Sequence, residues 1–201
     1  MNIFILNAGR SGSLTFIQAC RHISNYTCAH ESRSGLLGEA HFTYPPQHIE
    51  ADNRLSWFLG RLDRAYGKHA IYVHLRRSDH ETATSFARRY SGGIIRAYRK
   101  TILMGLPQDS AAHAVALDYC DTIHSNIELF LRDKPHKMDF AIENARQDFR
   151  QFWELIKAEG DLDAALSEFD QHYNASGHSP LNPVRKLGGF VRRLLGLGTE
   201  L

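Results

Sequence analysis

The chain has 201 residues and a mass of 22.8 kDa, enough for one domain around a single core or one domain with a small appendage, which excludes two large domains. Hydrophobic residues at 43%, charged residues at 23%, 6 Pro and 15 Gly exclude a disordered, collagen-like or coiled-coil chain. Twenty-four Lys and Arg against 22 Asp and Glu leave +2, too small a total to point to a nucleic-acid partner.

In chain order, Asn2 to Leu6 is a short apolar run suited to a central parallel strand. Asn7 to Ser13 forms a glycine-containing turn, and Leu14 to Ile23 carries Phe16, Cys20 and Ile23 at helical spacing. Ser24 to Gln47 is polar, ends in Tyr44-Pro-Pro46 and is expected to be loop; residues 48–67 are expected to hold a helix on Leu55, Phe58, Leu59 and Leu62. Ala70 to Leu75 is a second strand, followed by a helix from Ser78 to Tyr90 that Ser91-Gly-Gly93 breaks. A long amphipathic helix is expected over His113 to Leu131, and Met138, Phe140 and Ile142 mark a third strand. Two more helices, Arg146 to Ala158 and Leu162 to Phe169, are separated by Gly160 as a stop and Asp161 as an N-cap. Strands alternating with helices predict an α/β fold with a mainly parallel sheet.

Cys20, Cys28 and Cys120 form no Cys-x-x-Cys pair, so neither a disulfide framework nor a structural zinc site is expected. The 12 His show no metal-ligand spacing, and no metal is expected. The apolar run at Met1 to Leu6 is too short for a signal peptide, and no run of about 18 apolar residues occurs, which predicts a cytoplasmic protein.

A strand, a glycine turn and a helix make an anion cradle, because the free N–H groups of the first helical turn point into it. Against the Walker A pattern, Ser13 stands at the Lys position and Leu14 at the Ser/Thr position, so the usual parts of a magnesium-dependent ATPase or kinase are missing. Arg10 lies inside the turn and can supply the cation. Gly9-Arg-Ser-Gly-Ser-Leu14 resembles the 5′-phosphosulfate loop of the sulfotransferases, G-R-S-G-T-T, with Ser13 for the first Thr and Leu14 for the second. That resemblance implies a P-loop NTPase-like three-layer sandwich. It also implies 3′-phosphoadenosine 5′-phosphosulfate (PAPS) as co-substrate, held by Gly9, Arg10, Ser11, Gly12, Ser13 and Leu14.

The same family carries R-D-P-x-x-x-x-x-S at the end of a later strand, where the Arg and Ser hold the 3′-phosphate. After Leu75 this chain reads Arg77-Ser-Asp-His-Glu-Thr-Ala-Thr-Ser85, with Asp79 in place of the Pro. Arg89, one helical turn past Ser85, matches an Arg at this offset in tyrosylprotein sulfotransferases. A fixed guanidinium with a hydroxyl suits a dianionic phosphate. Cys28-Ala-His-Glu-Ser-Arg33 resembles the C-G-E-E-T-R segment of the latter enzymes, with Glu31 at their interval of 21 residues from the loop Arg and His30 in place of the first Glu. The resemblance implies Glu31 as general base, Arg10 steadying the transferring group, and Arg33 orienting the acceptor; His30 is an alternative base or acceptor contact. Phe140-Ala-Ile-Glu-Asn144 resembles the Y-E-D-L strand end, whose acidic residue is structural. No counterpart of the R-K-G loop of cytosolic members is present.

The expected organisation is a sulfotransferase-like domain over residues 1–178 and a basic amphipathic tail over 179–201. Residues 183–198 suit an anionic membrane surface, a partner or the chain's own domain. The expected partners are a small nucleotide and a hydroxyl acceptor of unidentified class (carbohydrate, lipid or peptide). A kinase-like phosphotransferase and a nucleotide-binding module without transfer are the other classes. The total of +2 hides segregation: residues 76–100 hold seven basic and two acidic residues, or +5, whereas residues 146–170 hold three and seven, or −4.

Overall fold

The computed structural model describes residues 1–171, so the tail and its expected membrane contact lie outside the described residues. Five parallel strands form one sheet in the order β2-β3-β1-β4-β5, with β1 Asn2–Leu6, β2 Thr27–His30, β3 His48–Ala51, β4 Ala70–Arg76 and β5 Lys137–Ala141. The helices are α1 Ser13–Cys20, α2 Leu59–Tyr66, α3 Asp79–Ala87, α4 Gly93–Ala97, α5 Ala112–Leu131, α6 Ala145–Ile156 and α7 Leu162–Ser167.

Alternation along β1 splits the core between two faces of the sheet. Phe4 and Leu6 pack with Tyr72 under α2, α3 and α5, through Leu62, Phe86, Tyr119 and Ile123. Ile3 and Ile5 pack with Ile49 and Val73 under α1, α6 and α7. Phe16 of α1 is the hub of the second face, its ring centroid 4.9 Å from Phe140, 5.0 Å from Phe152 and 5.5 Å from Phe149. Each such edge-to-face pair adds about 0.5–1.5 kcal/mol beyond burial. This is the α/β fold with a parallel sheet that the strand–helix alternation predicts, with helices layered on both faces of the sheet.

Three expectations need correction. The stretch 24–47 is not all loop: β2 lies within it, and Gly38–Phe42 forms a 3-10 turn. The helix expected over 48–67 is β3, a 3-10 turn at Asn53–Trp57 and only then α2. Pairing overrides composition here, because β3 is clamped along its whole length between β1 and β2. Past Gly93, where no element was expected, α4 runs into a single π turn at Tyr98–Ile102, held by Tyr98, whose hydroxyl reaches Thr122 at 3.0 Å and the Asp118 carboxylate at 2.5 Å. Gly160 does not stop α6. Lys157 does, in the left-handed conformation, while Gly160 sits where a Cβ would lie 2.1 Å from the His22 carbonyl oxygen. Asp161 caps α7 as predicted, its carboxylate accepting from Ala164 N–H at 2.9 Å.

Candidate nucleotide and transfer site

The carboxyl ends of β1, β2, β3 and β4 converge on one cavity of about 1090 Å³. In an open parallel sheet ligands sit at this end, at the point where the strand order reverses, here where β1 runs on to β2 on one side and β3 crosses to β4 on the other. β1 has β3 on one side and β4 on the other, so the turn after it opens into that crevice.

The turn is built before any ligand arrives. Gly9 and Gly12 have φ of 88° and 86°, and Arg10 between them has φ of 61°. Gly12 has no room for a side chain, since a Cβ would lie 2.7 Å from Ile142 Cδ1. Side chains within and outside the loop hold it: Asn7 Oδ1 accepts from Gly9 N–H at 2.8 Å, Ser56 donates to the Asn7 carbonyl at 3.1 Å, and Tyr119 donates to the Ala8 carbonyl at 2.8 Å. α1 opens with no side-chain cap and no acidic residue in its first turn, leaving its first N–H groups for an anion.

The second motif faces the first across the cavity. Arg10 Nε donates to Ser85 Oγ at 3.0 Å, linking the two segments directly. Burial lowers the Arg10 pKa, and the charges of Arg89 and then Arg77 lower it further. Like charges crowded enough to oppose one another's protonation leave the site short of negative charge. Arg77, at the end of β4, pairs with Glu81 one helical turn on at 2.7 Å. Its neighbour Arg76 turns the other way, to Glu128 at 2.9 Å. Arg88 and Arg89, just beyond α3, also line the cavity. Where the family motif has Pro, Asp79 opens α3 and its carboxylate lies 3.3 Å from His124 Nε2. The turn is secured instead by Glu143, which accepts from Ser78 N–H at 2.7 Å.

Glu31 follows β2 with φ of 52°. Its N–H donates to the Ala51 carbonyl at 3.0 Å, and the next residue is anchored by Glu50, a fully buried carboxylate that accepts from Ser32 N–H at 2.7 Å and Ser32 Oγ at 2.6 Å. Arg54 Nη1 lies 2.9 Å from Glu31 Oε2, and Asp52 accepts from Arg54 N–H at 2.8 Å. Burial raises the Asp52 pKa against the opposing pull of the Arg54 N–H and charge. His30 lies beside Ser13, Nε2 to Oγ 3.0 Å.

Gly9, Arg10, Gly12, Ser13, Leu14, His30, Glu31, Arg77, Ser85 and Arg89 therefore line one cavity. Ser11 is the exception in the loop: fully buried, its hydroxyl turned back to the Gly9 carbonyl at 3.2 Å, it shapes the turn. Arg33, expected to orient the acceptor, is outside the lining; its guanidinium donates to the Ala40 carbonyl at 3.2 Å and lies 5.3 Å from the Tyr44 ring centroid. Asn53 and Arg54 also line the cavity, and sequence reading missed both because it assigned them to a helix. The Asp52-Asn53 pair just past the strand, with a capping carboxylate, was the available signal. Among the described residues no group of three or more His, Cys, Asp or Glu is arranged to hold a metal ion, and no helix is long and apolar enough to cross a membrane.

No family model matches the sequence, and no curated protein matches it. Among solved structures the chain is similar to a sulfotransferase domain from the curacin biosynthetic pathway, with a TM-score of 0.60 at 16% identity, over 88% of this chain and 80% of that one. At that identity the likeness extends to the fold.

Proposed function

We propose that this chain is a sulfotransferase that moves a sulfuryl group from PAPS to an acceptor hydroxyl. The observation that carries the reading is the single cavity in which the Gly9–Leu14 loop and the Arg77, Ser85 and Arg89 set face each other, joined by the 3.0 Å contact of Arg10 with Ser85. Such a site suits a small molecule charged at two ends. The fold it shares with a sulfotransferase domain supports the same assignment.

In this mechanism the loop N–H groups and Arg10 bind the 5′-phosphosulfate, and Arg77, Ser85 and Arg89 bind the 3′-phosphate. The acceptor oxygen attacks sulfur; the new O–S bond forms as the bond from sulfur to the 5′-phosphate oxygen breaks. Glu31 takes the acceptor proton, and the electron pair of the broken bond stays on the phosphate oxygen, where Arg10 offsets its charge. Ser85 accepts from Arg10, which leaves its own hydroxyl hydrogen for the nucleotide. No Lys and no Ser/Thr pair is present to run magnesium-dependent phosphoryl transfer at this loop.

The test is thermal stabilisation by adenosine 3′,5′-bisphosphate against magnesium-ATP, followed by transfer from labelled PAPS with a panel of alcohols. Glu31→Gln should bind the bisphosphate within about twofold of wild type and lose about 100-fold or more in transfer. Stabilisation by ATP alone refutes the reading, and full transfer by Glu31→Gln removes that residue from the mechanism.

A further inference from the structure

Ser13 stands where the nucleotide-binding loop of the kinases and ATPases carries its Lys, and its hydroxyl is not free: it lies 3.0 Å from Nε2 of His30. His30 is the last residue of β2, in register with Ala51 of β3, and strand alternation puts it on the same face as Cys28, the face that packs with Ala51 against α1. The contact thus joins the rim of the sheet to the first residue of the helix that opens on the loop.

A serine hydroxyl has one hydrogen, and the imidazole decides where it goes. With Nε2 unprotonated, the hydroxyl donates to it, and Ser13 shows the cavity only lone pairs, which repel a phosphate or sulfate oxygen. With Nε2 protonated, the ring donates to Oγ and the hydroxyl hydrogen turns to the cavity. An anion can only accept, so it selects the second state, and it selects the imidazolium above the neutral ring because the added cation is attracted to it.

The groups around His30 leave that choice to the ligand. Arg10 of the loop shares the cavity lining. Glu31, the next residue, has its carboxylate 2.9 Å from Arg54. Cys28, on the same face of β2, directs its sulfur to the Ile17 carbonyl at 3.9 Å. On β3 the residue in register is Ala51, and alternation puts Glu50 and Asp52 on the other side of the sheet. No carboxylate therefore backs the ring from the adjoining strand.

We infer that His30 acts on the donor side of the site, as a proton-dependent partner of the phosphate loop: through Ser13 it supplies the charge and the donor that the missing Lys would have supplied, so that nucleotide loading takes up a proton. The inference rests on the nucleotide reading above and reassigns His30 from acceptor contact or base to the binding of the phosphosulfate end.

The experiment is titration calorimetry of the full chain with adenosine 3′,5′-bisphosphate at pH 7 in buffers of differing ionisation enthalpy, on wild type and His30→Gln. The ligand's own phosphates titrate near pH 6, and the protonation of the free ligand is common to both proteins and drops out of their difference. Wild type should take up about half a proton or more in excess of the variant, and its affinity advantage should grow from about twofold at pH 8 to about tenfold at pH 6. Equal proton uptake and a pH-independent affinity ratio overturn the inference while leaving the nucleotide reading standing; absence of bisphosphate binding by wild type overturns both. Should His30→Gln not fold, wild type labelled with ¹⁵N-histidine decides the question. The ring whose signals move in Ser13→Ala should shift from an unprotonated to a protonated Nε2 when bisphosphate is added, and an unchanged Nε2 signal overturns the inference.

Discussion

Removing one carboxylate should tighten nucleotide binding. Glu81 holds Arg77 at 2.7 Å across one turn of helix, both side chains well exposed at 54% and 37%. An exposed pair at this spacing contributes about 0.3–0.5 kcal/mol to the unliganded protein. A 3′-phosphate that takes Arg77 must displace that pair, and it also meets the Glu81 charge. At a separation of about 7 Å in water, a dianion and a carboxylate repel by about 1.2 kcal/mol, which salt near 0.15 M cuts to about 0.5 kcal/mol. Glu81→Gln therefore gains about 1 kcal/mol in binding, or about fivefold in Kd. The same substitution should lower the unliganded melting temperature by about 1 °C, because the helix loses its pair. Calorimetry with adenosine 3′,5′-bisphosphate at 50 and 300 mM salt, beside a melting curve without ligand, measures both quantities. Opposite signs, with an affinity gain that shrinks at high salt, are the expected result. A variant that binds the bisphosphate more weakly than wild type would show that Glu81 helps to bind the ligand and that Arg77 is no phosphate clamp.

Two further outcomes follow from geometry away from that pair. Gly12→Ala combines a φ of 86° with a Cβ 2.7 Å from Ile142, so it should cost about 2–3 kcal/mol, seen as a melting temperature lower by about 5–10 °C, and it should abolish bisphosphate stabilisation. His74 and His124 form a buried pair, Nε2 to Nδ1 2.8 Å; burial first, then the charges of His124 and Arg76, push the His74 pKa down to about 3. Unfolded, the same ring takes a proton below about pH 6.5, so stability is fully present above that pH and is lost as pH falls toward 3, by about 1.4 kcal/mol per unit for this one group. Denaturant midpoints between pH 7 and 4 should show a slope that His74→Asn flattens by about one proton, and an unchanged slope would mean that the ring is charged in the folded protein.

Legibility followed the range of the interactions that shape each segment. β1 and β4 could be read because Asn2–Leu6 and Ala70–Arg76 are central strands whose apolar runs are covered on both faces. β2 and β3 could not: Thr-Cys-Ala-His and His-Ile-Glu-Ala place polar side chains in a sheet, and nothing local shows that Glu50 is satisfied by Ser32 and His48. The spacing of Leu55, Phe58, Leu59 and Leu62 is helical by count, but Asp52 caps a short 3-10 turn first and the helix begins only at Leu59. In the candidate site, the Gly9–Leu14 turn and the Arg77 to Ser85 spacing are each patterns within a single strand–turn–helix unit, visible without the fold, and the structure brings both to one cavity. Arg54 and Asn53 enter the cavity through the pairing of β3 with β1, Ile3 opposite Ile49, a contact between residues far apart in sequence. Arg33 shows the converse: its motif is local, but the fold turns its side chain onto Tyr44.

Charge placement explains how a chain of net +2 can keep a strongly basic cavity. Among the described residues, Arg10, Arg54, Arg77, Arg88 and Arg89 line it with only Glu31 and Glu81 as carboxylates. Each of those carboxylates sits on an arginine, Glu31 on Arg54 and Glu81 on Arg77, so the unliganded site holds its own anions as stand-ins. The two are not equivalent. In the proposed reaction Glu81 would yield Arg77 to the 3′-phosphate, whereas Glu31 would keep Arg54 and lose that attraction only on accepting a proton. On that reading, nucleotide binding at one end would trade one anion for another, at a modest cost in salt-screened surface charge. On the same reading, proton transfer to Glu31 would discharge it beside the Arg54 guanidinium, whose lost attraction opposes that step and favours return of Glu31 to the carboxylate for the next turnover. A mutation of Glu81 should accordingly act on affinity and one of Arg54 on turnover, although both residues are no more than members of surface ion pairs by distance alone.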